Sequence, residues 1–283
     1  MIFRTSEHTF DLSKRPLIMG IINITPDSFS DGGDYFNPQN ALQQALQFEK
    51  QGADLLDLGA VSTRPDALQV STEEELDRLR PVLDLFKNKV SIPISIDTTS
   101  HFVARFALEK GASIINDVSG FKDDSKLASV VKEFNSGVIL MHRRGNAQNM
   151  QDLTEYEDVV AGVKEELKES LDLALNAGIS KEYIAIDPGI GFAKTTEQNL
   201  ELLNRLNEFM DLNYPVLIGT SRKSFIGKIL NKEPKDRDFG TVATSVLAVQ
   251  NGARILRVHN VEATVDAMRV CEAIEEPLSK IKK

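Results

Sequence analysis

The chain lacks several features that mark common classes of protein. It contains a single cysteine, Cys271, so no disulfide can form within it. No run approaches the ~20 consecutive apolar residues that a membrane-spanning helix needs. The segment Met1 to Lys14 carries charged side chains where a signal peptide would have an apolar core. We therefore expect a cytoplasmic protein with no membrane partner.

An excess of basic residues is also absent, because the formal net charge is -9 at pH 7. An acidic surface repels phosphate backbones and anionic lipid headgroups, so we do not expect a nucleic-acid or membrane partner. A local basic pocket within such a surface is still compatible with this charge.

Eight short apolar runs are present, and each ends in polar residues of the kind that do chemistry. The runs end at Asn23–Asp27, Asp57, Asp97, Asn116–Asp117, Met141–His142, Asp187–Gly189, Ser221–Ser224 and Arg257–His259. A stretch with helical periodicity follows each run, as in a parallel (β/α)8 barrel, whose C-terminal strand ends form the active-site rim. Such barrels commonly occupy ~250 residues. We predict an α/β enzyme with a TIM-barrel fold and a single domain over residues 1–283.

The predicted strands and joints give this barrel definite boundaries. The strands are Leu17–Ile22, Asp54–Leu58, Ile92–Ile96, Ser113–Ile115, Gly137–Met141, Tyr183–Ile186, Tyr214–Ile218 and Arg254–Val258. The longest helix is predicted at Glu155–Asn176, and either Ser71 or Thr72 caps an earlier one. Weak alternation over Ile2 to Leu12 predicts a short hairpin that closes the barrel floor. A Gly-Ala pair recurs at residues 52–53, 111–112 and 252–253, where Gly suits a left-handed helix end and Ala a close approach.

The two loops that follow the first two predicted strands contain candidate functional residues. The loop Thr25–Gly33 contains two acids, a phenylalanine and a Gly pair, as lids often do, although an ordinary Ser/Asp/Gly turn is the alternative. The loop Val61–Ala67 places Arg64 beside hydroxyl groups, which suits an anion. A lone surface arginine is more often only solvated, so this second feature is weak by itself.

Cationic residues follow the last two strands, at Ser221–Ser224 and Arg257–His259. These two strand ends often hold phosphate in barrel enzymes, and Lys, Arg, His and hydroxyl groups are suitable donors. We predict a phosphate or diphosphate site there, with solvated surface charges as the alternative.

Three polar residues at other strand ends supply the counterpart. Asp97, Asn116 and Asp187 should point into the barrel mouth, where a heterocycle rich in N–H groups would give them donors. The alternatives are structural, since Asp97 could cap a helix and Asn116 could satisfy a turn.

The ordered set of these motifs resembles the dihydropteroate synthase family over nearly the whole chain. The matching segments are Gly20–Gly33, Ser62–Pro65, Ile96–Thr98, Ile115–Gly120, Met141–His142, Asp187–Phe192, Ser221–Ser224 and Arg257–His259. The resemblance implies a barrel enzyme of folate synthesis. Enzymes of this family condense 6-hydroxymethyl-7,8-dihydropterin diphosphate with 4-aminobenzoate and release diphosphate with the help of Mg2+.

The resemblance also implies roles for individual residues. The pterin ring would be held by Asp97, Asn116, Asp187 and Lys223, with Met141 and Phe192 beside it. The diphosphate would be bound by Asn23, Thr63, Arg257 and His259, and Asn23 would also touch the metal. The 4-aminobenzoate would be bound by Phe29, Arg64, Pro65 and Ser224, while loop closure would be ordered by Asp27, Asp31 and Thr63. The catalytic set would be Asp97, Asp187, Lys223, Arg257 and His259. The family also forms homodimers through barrel helices.

The chain departs from the family pattern at a few positions. Ala60–Val61 stands where Gly-Glu is usual, and Asp66 stands where Gly is common. Arg143–Arg144 is unusually basic, and Asn260 replaces a frequent Asp.

Two other functions remain open on the sequence. A corrinoid-linked methyltransferase shares the pterin-binding barrel but holds no diphosphate, and a catalytically silent paralogue would bind pterin or a partner without turnover.

Overall fold

A computed structural model describes residues 1–24, 37–61 and 70–275 and confirms the predicted (β/α)8 barrel. Two strands precede the barrel, β1 (Ile2–Arg4) and β2 (Thr9–Asp11). The barrel strands are β3 (Leu17–Asn23), β4 (Leu55–Gly59), β5 (Ile94–Asp97), β6 (Ile114–Asp117), β7 (Gly137–Met141), β8 (Ile184–Asp187), β9 (Leu217–Ile218) and β10 (Ile255–Val258).

The barrel strands are parallel and lie in the order β8-β7-β6-β5-β4-β3-β10-β9. A bridge between Ile186 and Val216 closes the ring between β8 and β9. The Ile186 N–H donates to the Pro215 carbonyl at 2.9 Å beside this bridge. Strand β9 is shorter than the predicted Tyr214–Ile218, because Pro215 has no N–H to give to a ladder.

Helices surround the ring. They are α1 (Pro38–Gln51), α2 (Thr72–Phe86), α3 (His101–Glu109), α4 (Leu127–Phe134), α5 (Val159–Asn176), α6 (Thr196–Asn204), α7 (Ser224–Leu230), α8 (Asp238–Gln250) and α9 (Val261–Glu275), with 3-10 turns at Met150–Asp152, Lys181–Tyr183, Leu206–Leu212 and Pro234–Asp236. Ser71 caps α2, as one of the two predicted alternatives. Helix α5 begins later than predicted, because the Asp158 side chain caps it. No helix within the described ranges is long and apolar enough to cross a bilayer.

The three Gly-Ala joints have the predicted geometry. Gly52, Gly111 and Gly252 have φ angles of +95°, +101° and +104°, a left-handed region that L side chains rarely adopt. The alanine after each glycine is buried. The small side chain lets the helix end lie close to the next strand.

The N-terminal hairpin closes the floor of the barrel, as the alternation predicted. Strands β1 and β2 pair antiparallel, with Phe3 opposite Phe10. Phe3 is fully buried in an apolar cluster with residues that seven barrel strands contribute. This cluster consists of Phe3, Leu12, Leu17, Met19, Leu55, Ile114, Ile139, Ala185, Leu217 and Ile255.

The interior of the barrel is divided into an apolar lower layer and a polar upper layer. Residues two apart on a strand face the same side. The apolar floor residues Leu55, Ile114, Ile139, Ala185 and Ile255 are therefore followed, two positions later, by Asp57, Asn116, Met141, Asp187 and Arg257. The alternation of the strands thus brings polar side chains to the C-terminal rim.

We expect Phe3→Ala to lower the free energy of unfolding by ~3–5 kcal/mol, because it leaves a cavity at the floor. Urea denaturation followed by circular dichroism measures this. Phe102→Ala is the matched control, since Phe102 is 62% exposed and its removal should cost less than ~0.5 kcal/mol. Equal losses in the two variants would contradict the role of Phe3 as a floor residue.

Candidate active site

Five polar side chains converge inside the C-terminal rim of the barrel. Asp57, Asp97, Asn116, Asp187 and Arg257 end strands β4, β5, β6, β8 and β10 or lie near their ends. The three carboxylates and the amide are all buried, and Asp97 lies directly opposite Asn116 in the parallel register. The structure therefore brings together Asp97, Asn116 and Asp187, as the sequence predicted.

Arg257 connects two of these carboxylates. Its Nε donates to Asp57 Oδ2 at 2.6 Å, and its Nη2 donates to Asp97 Oδ2 at 3.0 Å. A half-buried arginine between two buried carboxylates compensates charge that would be costly to bury alone. The sequence placed Arg257 with a diphosphate, and the structure shows that the guanidinium also belongs to the acidic cluster.

Asp57 is a site residue that the sequence analysis did not assign. It is fully buried and accepts from both Arg257 and the Asn116 Nδ2, the latter at 3.2 Å. Because the Asn116 nitrogen faces Asp57, its carbonyl oxygen is oriented away from Asp57 and can accept from a ligand. The signal was present in the sequence, since Asp57 ends the second apolar run.

Burial makes two acids of this cluster, Asp97 and Asp187, weaker than usual. Burial, with the nearby Asp57 charge acting in the same direction, raises the pKa of Asp97 to about 7 against the lowering effect of Arg257. Burial likewise raises the pKa of Asp187 to about 6, although the Gly189 N–H and the Lys223 charge lower it. A ligand that brings N–H donors or positive charge would stabilise the ionised acids.

An apolar wall lies beside the acids. Met141 and Phe192 are both buried in one cluster with Val118, Met150 and Ala193. The Lys223 Nζ lies 4.2 Å from the centroid of the Phe192 ring, which is a cation–π contact. The predicted neighbours Met141, Phe192 and Lys223 are therefore grouped, and a flat ring between the wall and the acids would meet apolar and polar surfaces together.

The two cationic groups at the last strand ends differ in what they offer an anion. The Ser221 Oγ lies 2.8 Å from the His259 Nδ1 and accepts from the His259 backbone N–H at 3.1 Å, so the two loops are joined at the rim. Arg222 has a φ of +59° and pairs with Asp238 at 2.8 and 3.1 Å. Asp238 therefore compensates the charge of Arg222, which we had included among the donors.

Two further predicted residues lie at the rim. Asn23 ends β3 beside Gly59, where a Cβ would lie 3.9 Å from both Asn23 Oδ1 and Asp97 Oδ2. The missing side chain thus leaves space between these two oxygens. Ser224 is exposed at the first position of α7. The predictions for Asp27, Phe29, Asp31, Thr63, Arg64 and Pro65 fall outside the residues that the structure describes.

The departures from the family pattern have local partners. Arg143 pairs with Asp123, and Arg144 donates to Glu166 at 2.8 Å, so both added charges are compensated. Asn260 donates to Asp238 at 3.0 Å. The buried Ala60 accepts from Arg78 at 2.6 Å through its carbonyl.

Buried acids, an apolar wall and nearby cations at the C-terminal rim define the site of a barrel enzyme. The family model described as pterin binding enzyme matches residues 19–259. The dihydropteroate synthase of a Synechocystis species is 47% identical over 266 residues, which cover 94% of this chain and 92% of that protein. The Escherichia coli K12 dihydropteroate synthase is 44% identical over 265 residues, covering 94% and 93%.

Solved structures agree with these relatives. A Xanthomonas albilineans dihydropteroate synthase with 4-aminobenzoic acid superposes with a TM-score of 0.91 at 42% identity, covering 98% of each chain. A Clostridium difficile dihydropteroate synthase with pteroic acid has a TM-score of 0.89 at 47% identity, covering 95% of this chain and 100% of that one. The chain belongs to the dihydropteroate synthase family of pterin-binding enzymes. The relatives favour the synthase over the corrinoid-linked methyltransferase.

We expect Arg257→Met to lower the free energy of unfolding by ~3–5 kcal/mol at pH 8, because it leaves buried carboxylates without their cation. The loss should be smaller at pH 5. The pKa of Asp97, already about 7, rises further without Arg257. A carboxyl whose pKa is raised in the folded state makes the protein less stable as the pH rises towards that raised pKa.

Urea denaturation at the two pH values measures this difference. Arg222→Met is the control, because its pair with Asp238 is partly exposed and should contribute ~1 kcal/mol or less. A loss for Arg257→Met that is the same at both pH values would contradict the assignment of Arg257 to the acidic cluster.

Proposed function

We propose that this chain catalyses the condensation of 6-hydroxymethyl-7,8-dihydropterin diphosphate with 4-aminobenzoate, which yields 7,8-dihydropteroate and diphosphate in folate synthesis. The convergence of Asp97, Asn116 and Asp187 beside the Phe192 wall is the observation that carries this proposal. A pterin presents several N–H groups along one edge of a flat ring. Its shape and donors therefore complement both surfaces.

The pterin ring would lie between the acids and the apolar wall. Asp97, Asp187 and the Asn116 carbonyl oxygen would accept from the ring, and Lys223 would donate to a ring acceptor. Met141 and Phe192 would contact the ring face. Because burial raises the pKa values of both acids, N–H donors from the ring would compensate part of the cost of ionising them.

The diphosphate would lie at the ends of β3 and β10. A guanidinium has five N–H donors, so the bonds of Arg257 to Asp57 and Asp97 leave donors for an anion. His259, Asn23 and Thr63 would complete this subsite. In this arrangement Asp57 orients Arg257 and Asn116 at once, so it would position the diphosphate and pterin subsites relative to each other.

Mg2+ fits the donors at this subsite. Asn23 offers a hard amide oxygen next to the space above Gly59. Among the described residues no group of three or more His, Cys, Asp or Glu side chains could hold a metal ion. Mg2+ commonly keeps several waters and binds substrate phosphates with one or two protein oxygens, which suits Asn23. When bound, Mg2+ would supply positive charge to the departing diphosphate.

The chemistry that we propose begins with loss of the leaving group. The bond between the pterin methylene and the diphosphate breaks first, and the electron-rich ring delocalises the positive charge, so no protein nucleophile is required. Arg257 and His259 would stabilise the departing diphosphate, while Asp97 and Asp187 would stabilise the cationic ring. The arylamine nitrogen would then attack the methylene and lose a proton.

The aminobenzoate subsite would form last. Phe29, Arg64, Pro65 and Ser224 would line it, and Asp27, Asp31 and Thr63 would order the closure of the two loops. A closed site would exclude water, which otherwise competes with the amine for the cation. Ligand contacts that favour closure would make 4-aminobenzoate bind better after the pterin and diphosphate.

A homodimer in the cytoplasm, with one domain over residues 1–283, completes the proposal. Large apolar side chains on adjacent helices are exposed, namely Ile229 on α7, Phe239 and Leu247 on α8, and Ile274 on α9. Phe239 is 85% exposed. Apolar side chains grouped on neighbouring helices suit the isologous interface of a two-fold dimer.

The synthase assay mixes the purified chain, the pterin diphosphate, 4-aminobenzoate and Mg2+, and measures dihydropteroate and diphosphate. We expect Asp97→Asn and Asp187→Asn each to lower kcat/KM by ~10- to 150-fold, the equivalent of ~1.5–3 kcal/mol for a charged hydrogen bond. Asp54→Asn is the control, because Asp54 also pairs with an arginine but lies at the opposite end of β4.

The control should retain near-normal turnover. Release of diphosphate without formation of dihydropteroate from 4-aminobenzoate would refute the proposed activity. If both acid variants kept the rate and pterin affinity of the unmodified chain, the placement of the ring beside Asp97 and Asp187 would be wrong.

The dimer is tested by sedimentation velocity at micromolar concentration. We expect Phe239→Glu to convert the dimer to a monomer, because it places a charge in an interface that should be apolar. Phe102→Glu, at an exposed phenylalanine on α3, should leave the dimer unchanged. A monomeric unmodified chain, or a dimer that survives Phe239→Glu, would contradict the α7–α9 interface.

A further inference from the structure

Lys194 is a buried lysine that the proposed chemistry does not use. It follows the apolar wall residue Phe192 by two positions, in the loop between β8 and α6, and is only 3% exposed. Its Nζ lies 2.8 Å from the Phe192 carbonyl, 3.0 Å from the Gly189 carbonyl and 3.0 Å from the His142 Nδ1. An ammonium has three donors, so these three acceptors match it fully.

His142 extends this hydrogen-bond network to helix α5. A lysine ammonium can only donate, so the His142 Nδ1 accepts and the Nε2 carries the proton. The Nε2 then donates to Glu166 on α5 at 3.1 Å, and Arg144 donates to the other Glu166 oxygen at 2.8 Å. Burial and the nearby Lys194 charge lower the pKa of His142 to about 4, in keeping with a neutral ring.

The loop that Lys194 holds carries two residues of the pterin subsite. Asp187 begins it, and its Oδ1 accepts from the Gly189 N–H at 2.8 Å. Gly189 has a φ of +71°, and a Cβ there would lie 1.9 Å from the His142 carbonyl oxygen, so the loops after β7 and β8 touch at a position only glycine can occupy. Phe192 ends the turn. The bonds of Lys194 to the Gly189 and Phe192 carbonyls therefore fix the turn between the acid and the wall.

The charge of Lys194 also acts on Asp187. Lys194 is among the groups that lower the pKa of this buried acid, together with Lys223 and Arg257. Burial lowers the pKa of Lys194 itself to about 7, Asp187 and Glu166 raise it, and Lys223 and Arg144 lower it. The lysine and the acid thus stabilise each other's charged forms.

We propose that Lys194 is a positioning residue for pterin binding, whose side chain fixes the Gly189–Phe192 turn between Asp187 and the apolar wall. The proposal rests on the proposed function, because it assumes that Asp187 and Phe192 hold the ring. It assigns Lys194 no contact with a substrate. Its effect is carried by the three hydrogen bonds and by its positive charge, which lowers the pKa of Asp187.

The test measures binding of 6-hydroxymethyl-7,8-dihydropterin by calorimetry between pH 6 and pH 9, for the unmodified chain and for Lys194→Met. Loss of this positive charge should raise the pKa of Asp187, so that a smaller fraction of the acid is ionised at pH 6. The ratio of the two affinities should then be about fivefold or more larger at pH 6 than at pH 9. Ionisation of the ligand cancels in this ratio, because both proteins meet the same ligand at each pH.

Two variants accompany this measurement. Lys168→Met is the matched control, because Lys168 is 53% exposed on α5 and pairs with Glu165, and its affinity ratio should stay near one at every pH. Lys194→Gln keeps a donor but lacks the charge, so it should show the same pH dependence with a smaller deficit at pH 9. It also serves if the methionine variant does not fold.

The pH dependence separates a positioning role from a merely structural one. A deficit of equal size at all pH values, or no deficit, in the folded Lys194 variants would overturn the proposal. An unmodified chain that does not bind the dihydropterin would overturn it too. If the unmodified chain binds the dihydropterin and the affinity ratio shows this pH dependence, but no dihydropteroate forms, the proposed synthase activity fails and the role of Lys194 stands.

Discussion

The polar end of the barrel depends on the contacts of Arg257 with Asp57 and Asp97. These residues come from β10, β4 and β5, and the Arg257–Asp57 pair spans 200 residues of sequence. Removing one member of such a buried group leaves an uncompensated charge, which costs far more than the pair itself contributes. The same contacts orient Asn116 through Asp57. Stability and ligand recognition therefore rest on one set of bonds, and the polar rim can exist only as a complete group.

Much of this end of the molecule could be predicted from the sequence, because strand alternation is a strong geometric constraint. A polar residue at the end of an apolar run must face the barrel interior when the apolar residue two positions earlier does. That rule fits Asn116 and Asp187, which follow Ile114 and Ala185 by two positions. Asp97 follows the buried Ser95 instead, and its position rests on its place at a strand end. The rule also applied to Asp57, which we noted as a strand end but did not assign, since its partners come from distant strands and no local pattern reveals them.

Residues in the loops were harder to predict than residues on strands. Arg222 and Lys223 are adjacent in sequence, yet the positive φ of Arg222 accompanies a pair with Asp238, while Lys223 lies over Phe192. Lys194 was missed for a related reason. A lysine after an apolar residue is usually solvated, and the burial of Lys194 depends on acceptors from two loops that approach each other closely at Gly189.

The hairpin at the barrel floor has a consequence for how the chain folds. Phe3 lies on β1, ahead of every barrel strand in sequence, but its buried neighbours include Ile255 on the last barrel strand. The first strand of the barrel likewise pairs with the last, as Leu17 with Ile255. Contacts between such distant segments form only when a very long loop closes, and the entropy lost in that closure opposes folding until the contacts are made. The floor and the ring can therefore close only when the segment from β1 to β10 is available, so a nascent chain that stops before β10 has no completed core.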